Sequence, residues 1–154
     1  MNDVCLYIKV ENEYNNYLYK MFKGIDFEDY YWKVLYSDVF CNDYKQEVLL
    51  QKDILESQEI KNVLRYDNYY IIELDVQCYK NGAVYRSIET VDDFMKSECT
   101  FLLLAYDCSF IHLYFKDIKM MDVVYNNCVE MGVEVKRKKE NEINENILSS
   151  LKFS

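Results

Sequence analysis

The chain has 154 residues, a formal net charge of −9 and 51% hydrophobic residues. This length and composition indicate one globular domain that is large enough to bury its own core. The negative charge opposes binding to phosphate backbones and to anionic lipid headgroups, so neither nucleic acid nor a membrane surface is an expected partner. No apolar run approaches the roughly 20 residues of a transmembrane helix, so we expect no membrane span.

The six cysteines include no Cys-x-x-Cys pair. Most of them lie inside apolar runs, where a free thiol behaves as a small hydrophobic group. The first residues show neither a basic lead nor a long apolar region, so we expect no signal peptide. Together these features predict a cytoplasmic protein whose cysteines are reduced.

The N-terminal part of the chain predicts a strand followed by a helix. Over residues 5–10, aliphatic side chains alternate with tyrosine and lysine, which is typical of a half-buried strand. Asn12 is the predicted N-cap of a helix whose apolar residues recur at helical spacing over residues 14–22. Gly24 is the predicted end of that helix.

The next segment predicts a second strand over residues 31–40, with three side chains expected on one face: Trp32, Val34 and Tyr36. Residues 41–56 are open to two interpretations, because residues 48–50 and 54–55 suit either short strands or buried loop anchors. A helical pattern follows, with Ser57 as its cap and with an apolar face formed by Ile60, Val63 and Leu64.

A regular alternation over residues 69–79 predicts a strand with one core face and one wet face, which favours an antiparallel or mixed sheet. The residues expected to face the core are Tyr70, Ile72, Leu74, Val76 and Cys78. Those expected to face solvent are Glu73, Asp75 and Gln77. Asn81-Gly82 then marks a turn, and Thr90 is the predicted cap of a short helix, with Asp93 as a weak capping-box partner.

The most apolar part of the chain predicts a central hairpin. Residues 101–106 are apolar on both faces, and Asp107-Cys108-Ser109 connects them to a second strand over residues 110–115. A helix capped by Asp117 follows, and its predicted buried residues are Ile118, Met121, Val124, Tyr125, Cys128 and Val129. Gly132 ends this helix, and the last strand is expected at an edge of the sheet.

The whole pattern predicts an α+β fold, with a twisted mixed or antiparallel sheet of about five or six strands and helices mainly on one face. Residues 1–139 are assigned to this single domain. Residues 140–154 are assigned to a polar C-terminal tail, which is either a docked helix or a disordered segment.

The weak catalytic candidates are His112, Cys108 and Asp107. His112 is the single histidine, and a Cys/His nucleophile pair oriented by Asp107 is conceivable. Four residues of extended chain, however, separate His112 from Cys108 by about 13 Å. The favoured interpretation is a histidine that packs on the sheet with one hydrogen-bonded nitrogen, and a non-catalytic protein is expected rather than an enzyme.

No metal and no cofactor is expected. One histidine and dispersed cysteines give no zinc-binding spacing, and Asp92-Asp93 lies in no calcium-binding loop. Neither a Gly-x-Gly-x-x-Gly motif nor a Gly-x-Ser-x-Gly motif is present. The basic run Lys136–Lys139 suits a nucleic-acid or lipid patch, but the favoured role is to keep an exposed edge strand from pairing with other chains.

The 16 tyrosines are the unusual part of the composition. Exposed tyrosine and tryptophan anchor many protein interfaces, and the candidates for such a role are Trp32, Tyr31, Tyr36 and Tyr79. Ordinary packing of tyrosine on a sheet surface is the alternative explanation.

Several segments together resemble one family. They are residues 12–19, Tyr31-Trp32, residues 69–79, residues 88–94 with Ser97-Glu98-Cys99, and the hairpin that ends at residues 114–117. In these segments, the chain is similar to the small bacterial proteins catalogued as domain of unknown function 2691, over most of residues 5–133. The resemblance implies no activity and no catalytic residue.

The leading hypothesis is a cytoplasmic, non-catalytic protein-binding module, and a basic partner, as in toxin-neutralising proteins, is one specific version. The alternative is a small-ligand binder, or an enzyme of unfamiliar type, with a pocket near the turn at residues 107–112. Nucleic-acid binding through Lys136–Lys139 is a third hypothesis. The oligomeric state is left open.

Overall fold

The computed structural model of this chain describes residues 2–41, 50–66 and 68–143. Within these ranges, the strands are β1 (Asp3–Lys9), β2 (Tyr30–Cys41), β3 (Ile54–Leu55), β4 (Tyr69–Lys80), β5 (Phe101–Tyr106), β6 (Phe110–Phe115) and β7 (Glu134–Lys139). The helices are α1 (Tyr17–Met21), α2 (Ser57–Arg65), α3 (Val91–Lys96) and α4 (Ile118–Met131), and a 3-10 turn spans Glu140–Glu142. The longest of these helices is α4, with 14 residues, and in the described ranges none has the length and apolarity needed to cross a bilayer.

The seven strands form one sheet in the order β3-β2-β4-β5-β6-β1-β7, with every neighbouring pair antiparallel. The predicted α+β class is confirmed, and so are the central hairpin and the last strand at an edge. The strand count is slightly higher than predicted, because Ile54 and Leu55 pair with β2 as a short additional strand.

One face of the sheet, the first face, is covered by α1, α2 and α4. Each helix directs buried apolar side chains onto it, as Leu18, Ile60 and Val124 show. Beneath the helices lies an aromatic cluster in which the rings of Trp32 and Phe101 meet edge to face, 6.1 Å apart. This face holds most of the apolar core, because the larger of the two clusters of buried side chains lies on it. Fully burying one large apolar side chain contributes about 1.5–3 kcal/mol.

The opposite face, the second face, carries α3 alone among the helices of the described residues. Phe94 of α3 packs on Tyr114, with ring centroids 6.2 Å apart. Ile143, just after the 3-10 turn, is buried in the same cluster. The tail alternatives for residues 144–154 fall outside the described residues, as do the possible anchors at residues 48–49.

Irregularities in the β2–β4 pairing correct two side-chain predictions. The register shifts between Val34 and Tyr36, so Tyr36 points to the second face instead of joining Trp32. A second shift follows Asp38. The residues of β4 that pack on the first face at this end are therefore Tyr69 and Ile71, and the predicted inward positions of Tyr70 and Ile72 are wrong.

The predicted wet face of β4 is also corrected. Asp75 is 7% exposed and Gln77 is fully buried. Gln77 accepts a hydrogen bond of 2.7 Å from the Tyr79 hydroxyl. The second face is covered here because the α3 cluster includes Tyr79 of β4 and Leu102 of the neighbouring strand β5.

Local capping signals decide most of the helix ends. Thr90 accepts a hydrogen bond from the Asp93 amide, and the Asp93 carboxylate accepts one from the Thr90 amide, so this capping box is confirmed. Asp117 caps α4 as predicted. Two caps are corrected: α1 begins at Tyr17 without using Asn12, and Glu56 precedes α2 as its N-cap in place of Ser57.

Candidate binding site on the second face

His112 lies on the second face and is 4% exposed. Its Nε2 is 3.2 Å from the Tyr106 hydroxyl oxygen, and its ring stacks on Tyr7 with centroids 4.1 Å apart and planes 5° apart. Burial lowers the pKa of His112 to about 4, because the surroundings disfavour the charged imidazolium. The ring is therefore neutral at pH 7, packed on the sheet and hydrogen-bonded through one nitrogen.

The structure does not bring the catalytic candidates together. Asp107 and Cys108 form the turn after β5 with φ of 52° and 63°, a left-handed geometry that suits a tight hairpin. The Cys108 amide donates to the Ile72 carbonyl oxygen of β4, and its thiol interacts with the Tyr70 hydroxyl. In the described residues, no hydrogen bond joins His112 to either turn residue.

The buried cysteines are poor nucleophiles. Burial raises the pKa of Cys99 and of Cys128 to about 12, and burial also raises the pKa of Cys5. These thiols stay protonated at neutral pH, whereas the thiolate is the reactive form. Across the described ranges, no group of three or more His, Cys, Asp or Glu side chains is placed to hold a metal ion.

The four aromatic candidates occupy different environments. Trp32 and Tyr79 are fully buried, so their side chains offer no surface to a partner. Tyr31 is half-buried, stacks on Tyr79 and donates a 2.7 Å hydrogen bond to the Ala83 carbonyl oxygen. Tyr36 is 51% exposed and is the candidate that reaches solvent.

Tyr36 belongs to a surface that we call the acidic–aromatic strip, formed by Tyr36, Asp38 and Phe40 of β2 and by Tyr70 and Glu73 of β4. In the strand register, Asp38 lies opposite Glu73 and Phe40 lies opposite Tyr70. Phe40 is 37% exposed. Among the described residues, neither Asp38 nor Glu73 has an ion-pair partner. Sequence reasoning missed Asp38, Phe40 and Tyr70. Alternation within β2 places Asp38 and Phe40 on the face of Tyr36, but only the irregularity in β4 brings Tyr70 to the same face as Glu73.

A second surface, the aromatic recess, lies near the hairpin turn. Its floor is formed by Tyr7, Tyr106, Phe110 and His112, and its volume is about 300 Å³. Lys9, Lys136 and Glu134 also line it. This is where the alternative hypothesis expects a pocket.

A larger polar cleft of about 860 Å³ lies between α1 and the end of α4. Its polar groups bind one another. The Tyr17 hydroxyl lies 2.9 Å from a Glu13 carboxylate oxygen, and the Asn127 amide donates to the carbonyl oxygens of Met21 and Lys23 at 2.8 Å each. The two Asn127 bonds hold the end of α1 against α4, which indicates a structural role for the cleft walls.

The basic run of residues 136–139 lies on the edge strand β7. Arg137 forms an ion pair of 2.9 Å with Asp122, and its guanidinium lies 4.1 Å from the centroid of the Tyr125 ring. Lys136 is 3.7 Å from Glu134. Two members of the run therefore have acidic neighbours within the fold, and the run borders the aromatic recess.

The family described as "Protein of unknown function (DUF2691)" matches residues 3–149. The chain belongs to the DUF2691 family. The DUF2691 chain is similar to "Uncharacterized protein YncE" of Bacillus subtilis (strain 168), with 22% identity over 129 residues, which cover 82% of this chain and 84% of that protein. No solved structure matches the chain. The resemblance inferred from the sequence is confirmed, and neither description supplies an activity or a site residue.

Proposed function

We propose that this DUF2691 protein is a non-catalytic binding module that docks a basic segment of another protein on the acidic–aromatic strip. One observation carries the proposal: Asp38 and Glu73 lie opposite each other across β2 and β4, and in the described part of the chain neither has an ion-pair partner. Like charges directly opposite each other in a sheet are destabilising. A lysine or arginine placed between them would relieve that repulsion.

The aromatic members of the strip supply the apolar part of such an interface. Tyr36 is 51% exposed and Phe40 is 37% exposed, and they flank Asp38 on the same face of β2. An arginine side chain can stack on an aromatic ring while its guanidinium binds a carboxylate in a bidentate manner. Tyrosine and arginine are also the residues most enriched among interface hot spots.

The charge of the whole chain favours the same class of partner. The sequence has 27 acidic residues against 18 lysines and arginines. Lys33 is a cation on the same face of β2, but its ammonium lies over the Tyr85 ring, 5.2 Å from the centroid, and forms no ion pair with Asp38 or Glu73 in the described residues. An overall negative potential accelerates association with a basic partner and weakens as salt is added.

The non-catalytic part of the proposal rests on the state of the reactive groups. His112 is neutral and held by Tyr106 and Tyr7, and the thiols of Cys99 and Cys128 remain protonated. A nucleophile needs an adjacent base within hydrogen-bonding distance, and these contacts supply no such pair.

The test is selection of binding sequences from a displayed library of random peptides, with the intact protein as bait. We expect enrichment of peptides rich in lysine or arginine, whose affinity decreases as the salt concentration increases. The isosteric double variant Asp38→Asn/Glu73→Gln should weaken binding by about tenfold, which corresponds to ~1.4 kcal/mol.

The matched control is Asp29→Asn/Glu130→Gln, which removes the same charge at two exposed positions outside the strip. This control should bind the selected peptides nearly as well as the wild type. Selection of neutral or acidic peptides, or equal losses in the two double variants, would contradict docking on the strip.

A further inference from the structure

We propose that the aromatic recess binds a planar aromatic carboxylate, a class of small ligand distinct from the protein partner proposed above. The recess lies on β1, β5, β6 and β7, whereas the strip lies on β2 and β4. The two proposals therefore concern different strands and different residues, and each can fail without the other.

The floor of the recess is a set of rings held in fixed orientations. Tyr106 and Phe110 stack with centroids 5.4 Å apart and planes 23° apart, and Tyr106 meets His112 edge to face at 5.2 Å. Tyr7 stacks on the far side of this group, against His112. Phe110 is still 37% exposed. Rings that are already ordered lose little conformational entropy when another flat ring packs on them.

The rim of the recess carries the charge that selects an anion. The Lys9 ammonium lies 5.8 Å from the centroid of the Phe110 ring, and the Lys138 ammonium lies 5.7 Å from that of Tyr7. Lys136 also lines the recess, and the acidic residue beside it, Glu134, is 3.7 Å from the Lys136 ammonium. This surplus of lysine stands out in a chain with a net charge of −9. A carboxylate would find these cations immediately beside the stacking surface.

The floor of the recess also holds a buried polar atom. The Nδ1 atom of His112 is buried and has no hydrogen-bond partner in the described part of the structure, while Nε2 contacts Tyr106. Buried polar atoms without a partner are uncommon in folded proteins. Because Nδ1 has almost no exposed surface, it lies beneath the floor of the recess, and the ligand contacts we propose are those with the rings and the lysines.

The size of the recess sets the size of the ligand. Its volume of about 300 Å³ is at the lower end of the range for small-molecule sites. One or two fused rings with a single carboxylate suit this volume.

The experiment uses the single histidine as a reporter, because the NMR signals of the His112 ring come from the floor of the recess. The probe is indole-3-carboxylate, and the comparators are indole, which lacks the charge, and cyclohexanecarboxylate, which lacks the aromatic ring. We expect saturable shifts of the His112 signals with the probe and about tenfold weaker binding of each comparator.

Variants of the intact protein separate the contribution of the lysines to binding from that of the Phe110 ring. Lys9→Gln/Lys136→Gln should weaken binding of indole-3-carboxylate by about tenfold, and Phe110→Ala should do the same. The control Lys23→Gln/Lys119→Gln removes the same charge at two exposed lysines elsewhere and should bind normally.

The strip variant Asp38→Asn/Glu73→Gln should also retain the probe, which distinguishes this site from the protein-docking surface. The absence of saturable shifts, equal affinity for the probe and both comparators, or an equal loss in the control would overturn the proposal.

Discussion

The two faces of the sheet bury different kinds of side chain. The first face lies under three helices and buries mainly apolar side chains, with Trp32 and Phe101 at its centre. The second face holds the buried polar and charged side chains of the described residues: Asp75, Gln77 and His112. Burying a polar group costs free energy unless it is hydrogen-bonded, and Gln77 and His112 are held by such bonds to Tyr79 and Tyr106. The first face supplies most of the apolar core, and the second face carries both surfaces for which we propose a binding role.

The largest expected effect comes from truncating one ring on each face. Phe101→Ala on the first face should lower the free energy of unfolding by about 3–5 kcal/mol, because it leaves a cavity among buried rings. Phe110→Ala on the second face should cost less than about 1 kcal/mol, because Phe110 is 37% exposed. Urea unfolding followed by the fluorescence of Trp32, the single tryptophan, measures both. Equal losses would remove the distinction between the faces.

The next effect tests the buried histidine. The folded-state pKa of His112 is about 4, below its ordinary value of 6.5. As the pH falls below 6.5, the unfolded chain takes up a proton that the folded protein does not. The free energy of unfolding should therefore decrease by about 2 kcal/mol between pH 7 and pH 5.

The variant His112→Phe keeps a ring against Tyr7 and cannot titrate, so it serves as the control for this pH dependence. Urea unfolding of both proteins at the two pH values separates the histidine from the carboxylates, which titrate in both. If the two proteins lose stability in parallel, the pKa of His112 is not depressed.

A smaller effect concerns a single hydroxyl under the helices. The Tyr69 hydroxyl oxygen accepts a 2.8 Å hydrogen bond from the Leu18 amide at the start of α1. Tyr69→Phe leaves that buried N–H without its acceptor and should cost about 1.5 kcal/mol. Tyr36→Phe, at an exposed position, is the matched control and should leave the unfolding midpoint unchanged. A similar shift in both variants would show that the bond to α1 is not the cause.

The smallest effect has the opposite sign and lies on the strip. Asp38→Asn should stabilise the protein by about 0.5 kcal/mol, because it removes the repulsion with Glu73 across the strands. Asp29→Asn, at an exposed position just before β2, should change stability less. The gain should shrink in high salt as the charges are screened. A loss of stability in Asp38→Asn would show that the two carboxylates do not repel each other.

Short-range signals in the sequence were sufficient for much of the fold. The connection at Asp107–Ser109 and the caps at Thr90 and Asp117 were predicted, because each depends on residues within one turn of the chain. The fold class and the central position of the hairpin also followed from apolar runs and alternation.

The errors arose where distant segments decide the outcome. A bulge is a property of two strands together, so the alternation within β2 and β4 could not reveal that Tyr36 and Tyr70 share the second face. The burial of Asp75 was missed because it depends on what covers the second face. On α4, Ile118 is 45% exposed and Val129 is 55% exposed, although the helical pattern placed both in the core.

The candidate surfaces were predicted less completely than the fold. The sequence indicated Tyr36 as an anchor and a pocket near residues 107–112, and a recess is present at that place. It could not show that Tyr7 from the first strand would stack on His112 from the sixth. Their contact depends on the pairing of β1 with β6, which joins segments that are far apart in the sequence.

The position of β1 between β6 and β7 has a consequence for biosynthesis. Among the described strands, β1 is synthesised first, whereas both of its neighbours, which span residues 110–115 and 134–139, are synthesised last. Leu6 and Ile8 therefore lack their final strand partners until β7 has been translated. The pairings of β1 are expected to form last in this sheet, and a circular permutant that begins just before β2 should shorten the delay.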